Sequence, residues 1–165
     1  EDSVRAGRER TDTTRTPGPI SGDIMATILN PYLSFKDNAR EAMEFYQSVF
    51  GGELTLSTFA EFGGMGVPDD EGHHIMHGQL TTPGGLTLMG ADTPSHMGYE
   101  APSGAGISIS VSGDDDDELD RYWAGLSEGG SVTVPFEAAP WGDRFGMLTD
   151  RFGVDWMVNS GGTQA

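Results

Sequence analysis

Apolar and polar residues follow two periodicities along this chain, and the order in which they occur is repeated. From Arg144 to Asn159 (RFGMLTDRFGVDWMVN), two apolar runs, Phe145 to Leu148 and Val154 to Val158, flank Asp150-Arg151-Phe152-Gly153. This spacing predicts a β-hairpin, with Gly153 able to take the positive φ its turn requires. His77 to Gly90 (HGQLTTPGGLTLMG) has the same layout around Thr82-Pro83-Gly84-Gly85, and its GLTLM echoes GVDWM in the later stretch.

The segments before each hairpin repeat as well. Ile28 to Phe35 predicts a strand, with Pro31 near its start or on an edge. Asn38 to Phe50 predicts a helix. Asn38 is placed to cap it, Glu41 completes a capping box, and Gly51-Gly52 ends it. Ala42, Phe45, Tyr46 and Val49 form one apolar stripe on that helix. Leu54 to Phe62 predicts a strand and Gly63 to Gly72 a loop. In the second half, Ile107 to Val111 predicts a strand and Asp114 to Glu128 a helix with the stripe Leu119, Tyr122, Trp123 and Leu126. Gly129-Gly130 ends that helix, Ser131 to Phe136 predicts a strand, and a loop through Pro140-Trp141-Gly142 leads into the second hairpin. Each half reads βαβββ, a duplicated module rather than a solenoid array. One helix cannot cover a sheet by itself. The expected fold is therefore α+β, with the modules sharing one curved eight-stranded mixed sheet and a helix from each outside. Residues 1–24 read as a polar, flexible arm, with Met25 as a natural start. Residues 25–165 read as one domain, with module one at about 28–91, a connector at 92–106 and module two at about 107–159.

Composition narrows the function. The 165 residues carry a net charge of −17, which repels nucleic-acid backbones and anionic membrane surfaces. Beyond residue 24 the basic residues are Lys36, Arg40, Arg121, Arg144 and Arg151, and they do not cluster. The absence of Cys excludes disulfides and thiolate metal sites. No apolar run approaches the roughly 20 residues that span a bilayer, and no signal-peptide core stands at the start. The expectation is a soluble, cytoplasmic protein.

NPYLSFKDNAREAMEFYQSVFGGEL, HIMHGQL and RFGMLTDRFGVDWMVN together resemble the PhnB-like branch of the vicinal oxygen chelate superfamily, which includes glyoxalase I, extradiol dioxygenases, and fosfomycin and bleomycin resistance proteins. The resemblance covers Asn30 to Asn159. It implies two βαβββ modules cupping a small-molecule cavity, in a homodimer. PhnB-like proteins also carry a ubiquinone-pathway methyltransferase label, but here no Gly-rich turn leads from a strand into a helix, as a nucleotide-type cofactor requires. The superfamily's divalent metal is held on the first and last strand of each module. Those positions carry over to Asn30 or Pro31, Met89, Ser108 and Met157, a weak set of ligands for such a metal. No cofactor is expected from them.

Other candidates come from single residues. His73, His74 and His77 are the nearest thing to a metal cluster. On an extended strand, however, His73 and His77 would stand about 13 Å apart and His74 would point the opposite way. His96, in the connector, reads as a surface residue. His77 stands where the second half has Phe145, so it is either a ligand contact or general base, or a half-buried histidine satisfied on the sheet. It is the best catalytic candidate. Trp141, Asp143 and Arg144 form a second group. Arg144 is read either as a clamp for an anionic ligand or as an ion-pair partner of Asp143, Asp150 or Glu137. Tyr32, Phe62 and Met89 are read as lining the same cup or as core. The acidic run Asp114 to Glu118 lacks the spacing of a calcium loop and reads as a solvated helix N-terminus. The leading expectation is a small-molecule-accommodating protein of unknown activity. The alternatives are a metal-dependent lyase, isomerase or dioxygenase, and a non-catalytic antibiotic-sequestering protein.

Overall fold

The structure, a computed structural model, describes residues 27–99 and 106–161. The expected arm at 1–24 and residues 100–105 of the connector lie outside the described residues. The chain runs β1 (Tyr32–Phe35), α1 (Ala39–Phe50), β2 (Glu53–Thr58), β3 (Ile75–Thr81), β4 (Thr87–Asp92), β5 (Ile109–Gly113), α2 (Asp116–Ser127), β6 (Ser131–Ala138), β7 (Arg144–Thr149) and β8 (Asp155–Ser160). This is βαβββ twice, in the expected α+β class.

The eight strands are hydrogen-bonded as two four-stranded mixed sheets, β1-β4-β3-β2 and β5-β8-β7-β6, rather than as one continuous sheet. In each, the first strand lies parallel to the last and the other pairs are antiparallel. The modules are joined by side chains instead of a ladder. The buried stripe of α1, from Ala39 and Ala42 through Met43 to Tyr46, packs on the first sheet. Tyr46 also stacks at 5.8 Å on Trp156 of β8, and Phe35 meets Phe152 edge-on at 6.3 Å. One core therefore runs through both modules. Burying each large side chain there contributes about 1.5–3 kcal/mol.

Several local expectations shift. β1 begins four residues later than expected, after Pro31, which has no N–H to give a ladder. β2 ends at Thr58, and Phe62 closes a 3₁₀ turn (Ala60–Phe62) instead of a strand. Asn38 makes no side-chain cap on α1. Asp92, at the end of β4, takes that role: its carboxylate accepts from Ala39 N at 2.9 Å and from Ile75 N at 2.8 Å. In α2 the cap is local, with Asp115 accepting from Glu118 N at 3.1 Å. Both hairpin turns fall where predicted, and Gly153 has a φ of +84°.

Candidate functional site

Alternation along each strand sends one set of side chains toward the helices and the other to an open face. In the first sheet, Leu33, Phe35, Leu80 and Leu88 pack on the core, so Tyr32, His77, Gln79 and Met89 stand on the open face. The register aligns Tyr32, Met89, Gln79 and Thr55 in one row across β1, β4, β3 and β2. His77, paired with Ser57, lies in the next row. Tyr32 Oη and His77 Nδ1 are 3.1 Å apart, with ring centroids at 5.7 Å. Partial desolvation raises the Tyr32 pKa, so the phenol stays protonated at neutral pH. Among the described residues, His77 Nε2 has no protein partner. If Tyr32 donates to Nδ1, Nε2 carries the hydrogen and is a donor to a ligand. If Nδ1 donates to Tyr32, Nε2 is an acceptor and a base.

The second sheet repeats this geometry with different chemistry. Ser110, Met157, Met147 and Val134 form one open-face row, and Ser112, Asn159, Phe145 and Glu137 the next. Trp141, 64% exposed in its Gly/Pro loop, meets Phe145 at 5.8 Å. This face brings Met147, Met157, Val134 and Phe145 together among Ser110, Ser112, Asn159 and Glu137, where the first carries the Tyr32–His77 hydrogen bond.

Tyr32, His77 and Met89 thus share one face. Trp141 belongs to the other module, and Phe62, 56% exposed, sits on the turn after β2. Arg144 is on the wrong side of its sheet for a cup clamp, because it shares a face with Gly146 and Leu148, toward α2. Its guanidinium donates to Asp120 at 2.6 Å, approaches Asp116 at 3.7 Å, and lies 4.1 Å above the Phe136 ring. The expected ion pair exists, but with the α2 acids. The residues across from Met89 and Met157 are Tyr32 and Ser110, not Asn30, Pro31 or Ser108, which precede the strands. His73 and His74 lie in the turn before β3, 4.5 Å apart and edge-to-face, while His77 pairs with Tyr32. Among the described residues no group of three or more metal-ligating side chains forms. Gln79 and Met147 went unnoticed in the sequence. The signal was period two, since they stand two residues from His77 and Phe145.

A profile of the 3-demethylubiquinone-9 3-methyltransferase family matches residues 27–159. The crystal structure of protein PA1353 from Pseudomonas aeruginosa is 39% identical and superposes with a TM-score of 0.70, covering 82% of this chain and 98% of that one. The PhnB protein from Bacillus cereus is 25% identical with a TM-score of 0.65, covering 82% of this chain and 100% of its own. A member of the glyoxalase/bleomycin resistance protein/dioxygenase superfamily from Sphaerobacter thermophilus DSM 20745 shares the fold at 21% identity and a TM-score of 0.51, over 84% of this chain and 100% of that one.

Proposed function

The chain belongs to the 3-demethylubiquinone-9 3-methyltransferase family, a PhnB-like group with the glyoxalase/bleomycin resistance/dioxygenase fold, and from that premise we propose that it binds a small organic molecule on its open sheet faces. The Tyr32–His77 pair is the polar anchor, and its 3.1 Å contact on an exposed face is the observation that carries the reading.

The test is a small-molecule library scored by thermal shift, with turnover assays on the hits. His77→Ala and Tyr32→Phe should each weaken hits about tenfold, the worth of one hydrogen bond to the ligand, while keeping the wild-type melting temperature. Hits that bind both variants normally would move the site off this face.

Neither cofactor suggested by the relatives fits the residues present. A nucleotide-type methyl donor needs free N–H groups at a Gly-rich strand-to-helix turn. Here the turn into α1 is Lys36-Asp37-Asn38, and Asp92 already accepts from Ala39 N. A divalent metal between Tyr32, Met89, Ser110 and Met157 would meet a phenol, two thioethers and a hydroxyl, with no carboxylate or imidazole in that set. Elemental analysis of protein made without a His tag should find well under one divalent ion per chain. One ion per chain, held by residues of both sheets, would overturn this.

The proposal includes a homodimer. Packing within the chain uses the helix-facing sides, which leaves Tyr32, Phe145, Met147, Met157 and Val134 on faces without a covering layer. A second copy covers such a face and encloses a cup over it. Sedimentation at micromolar concentration should give the dimer mass, and a monomer there would count against the reading.

A further inference from the structure

We propose, resting on the small-molecule reading above, that the ligand these faces take is a neutral or cationic aromatic molecule and that carboxylates and phosphates are rejected. The argument starts from where the charge sits. Among the described residues, Arg144 is the only Lys or Arg at a strand position, and its guanidinium points away from the open face onto Asp120 and Asp116. The open faces instead carry carboxylates: Glu53 paired across from Thr81, Glu137 across from Phe145, and Asp155 across from Thr149. The chain around them has a net charge of −17. An anion placed there gives up hydration and gains no Lys or Arg partner among the described residues, which is the costly case for burying charge.

The remaining surface suits an aromatic ring. Met89, Met147 and Met157 occupy the inner strands of the two sheets, and thioether sulfur packs favourably on ring edges. Tyr32, Phe145 and Trp141 offer ring faces, which attract a cation and repel an anion. Tyr32, His77 and Gln79 hydrogen-bond a hydroxyl, carbonyl or ammonium on the same ligand.

Three probes of one shape separate the charge classes: 2-naphthol, 2-naphthylmethylammonium and 2-naphthoate, titrated calorimetrically into the full chain at pH 8. The first two should bind, and naphthoate should bind at least tenfold more weakly. Met147→Lys, once its thermal unfolding confirms that it is folded, should bring naphthoate to within about threefold of naphthol. Arg144→Gln should leave all three affinities unchanged. Equal binding of naphthoate by the wild type, or its selective loss in Arg144→Gln, overturns the inference and leaves the small-molecule reading standing. Failure of all three probes while library hits still bind overturns the aromatic class alone. Failure of the library as well overturns the reading beneath it.

Discussion

Asp150→Ala should destabilise the protein by about 3–5 kcal/mol, the largest single effect expected from a side-chain truncation here. Asp150 is 4% exposed and accepts four hydrogen bonds. Tyr46 Oη donates at 2.6 Å, Trp156 Nε1 at 2.8 Å, Phe152 N at 2.8 Å and Val154 N at 3.1 Å. The donors come from α1, from the β7–β8 turn and from β8, so one carboxylate fastens the second hairpin to the first module's helix. Truncation leaves the buried Tyr46 and Trp156 donors and the part-buried Phe152 and Val154 amides without their acceptor. For a domain of this size the loss should lower the melting temperature by roughly 10 °C or more. Asp150→Asn should fall between, because its amide nitrogen faces the Trp156 N–H with nothing to accept from it. A wild-type melting temperature in Asp150→Ala would mean that the network does not hold the modules together.

The same network predicts an alkaline limit. Burial first, and the Asp150 carboxylate second, hold the Tyr46 phenol far above its ordinary value of 10.0. The folded state keeps a proton that the unfolded chain releases near pH 10. This contribution is complete below that pH and is lost as pH rises above it. Tyr46→Phe should flatten the loss of stability above pH 10, read as the denaturation midpoint against pH.

The chain's own pattern showed the duplicated βαβββ order and both hairpin turns, because each depends on residues close in sequence. It showed the helix stripes in part: Ala42 and Tyr46 are buried in α1 and Leu119 and Leu126 in α2, while Ala39 and Met43 rather than Phe45 and Val49 complete the buried face of α1. What it did not show depends on pairs that folding brings together. Asp92 caps α1 from a strand far along the chain, so the local cap at Asn38 was a reasonable expectation and the wrong one. Asp150 looked like a turn residue, and nothing nearby in sequence marks its bonds to Tyr46 and Trp156. For Arg144, strand parity alone would have separated it from Phe145, but the starting phase of β7 was not known. His77 and Tyr32 were each singled out in the sequence, while their contact depends on the parallel β1–β4 pairing and the β3–β4 register. Division into two sheets was equally hidden. Alternation describes each strand's faces and is silent on which edges meet.

The duplication also sets up the second large effect, at the glycine pair that ends each helix. Gly52 and Gly130 are the second glycines of those pairs, and each passes under the backbone of its module's hairpin. A Cβ on Gly52 would lie 2.3 Å from the Thr81 carbonyl oxygen, and one on Gly130 would lie 2.4 Å from the Thr149 carbonyl oxygen. Both obstacles are backbone in a paired ladder, Glu53 with Thr81 and Ser131 with Thr149, so neither can swing aside as a side-chain end would. Gly52→Ala and Gly130→Ala should each cost about 1–3 kcal/mol by overpacking. Gly52→Ala should be the worse of the two, because its φ of +92° adds about 1 kcal/mol of left-handed strain. Gly51→Ala is the control, with a φ of +73° and nothing within 4 Å of its Cβ, so it should show the strain without the clash. Urea midpoints should therefore fall below the control for Gly52→Ala, and Gly130→Ala should be destabilised with no help from φ. The hairpin above Gly52 carries His77, Gln79 and Met89, so Gly52→Ala should also weaken ligands anchored at Tyr32 and His77. If Gly130→Ala matches the wild type, the hairpins are not seated on the helix ends, and the close approach that positions both open faces is wrong.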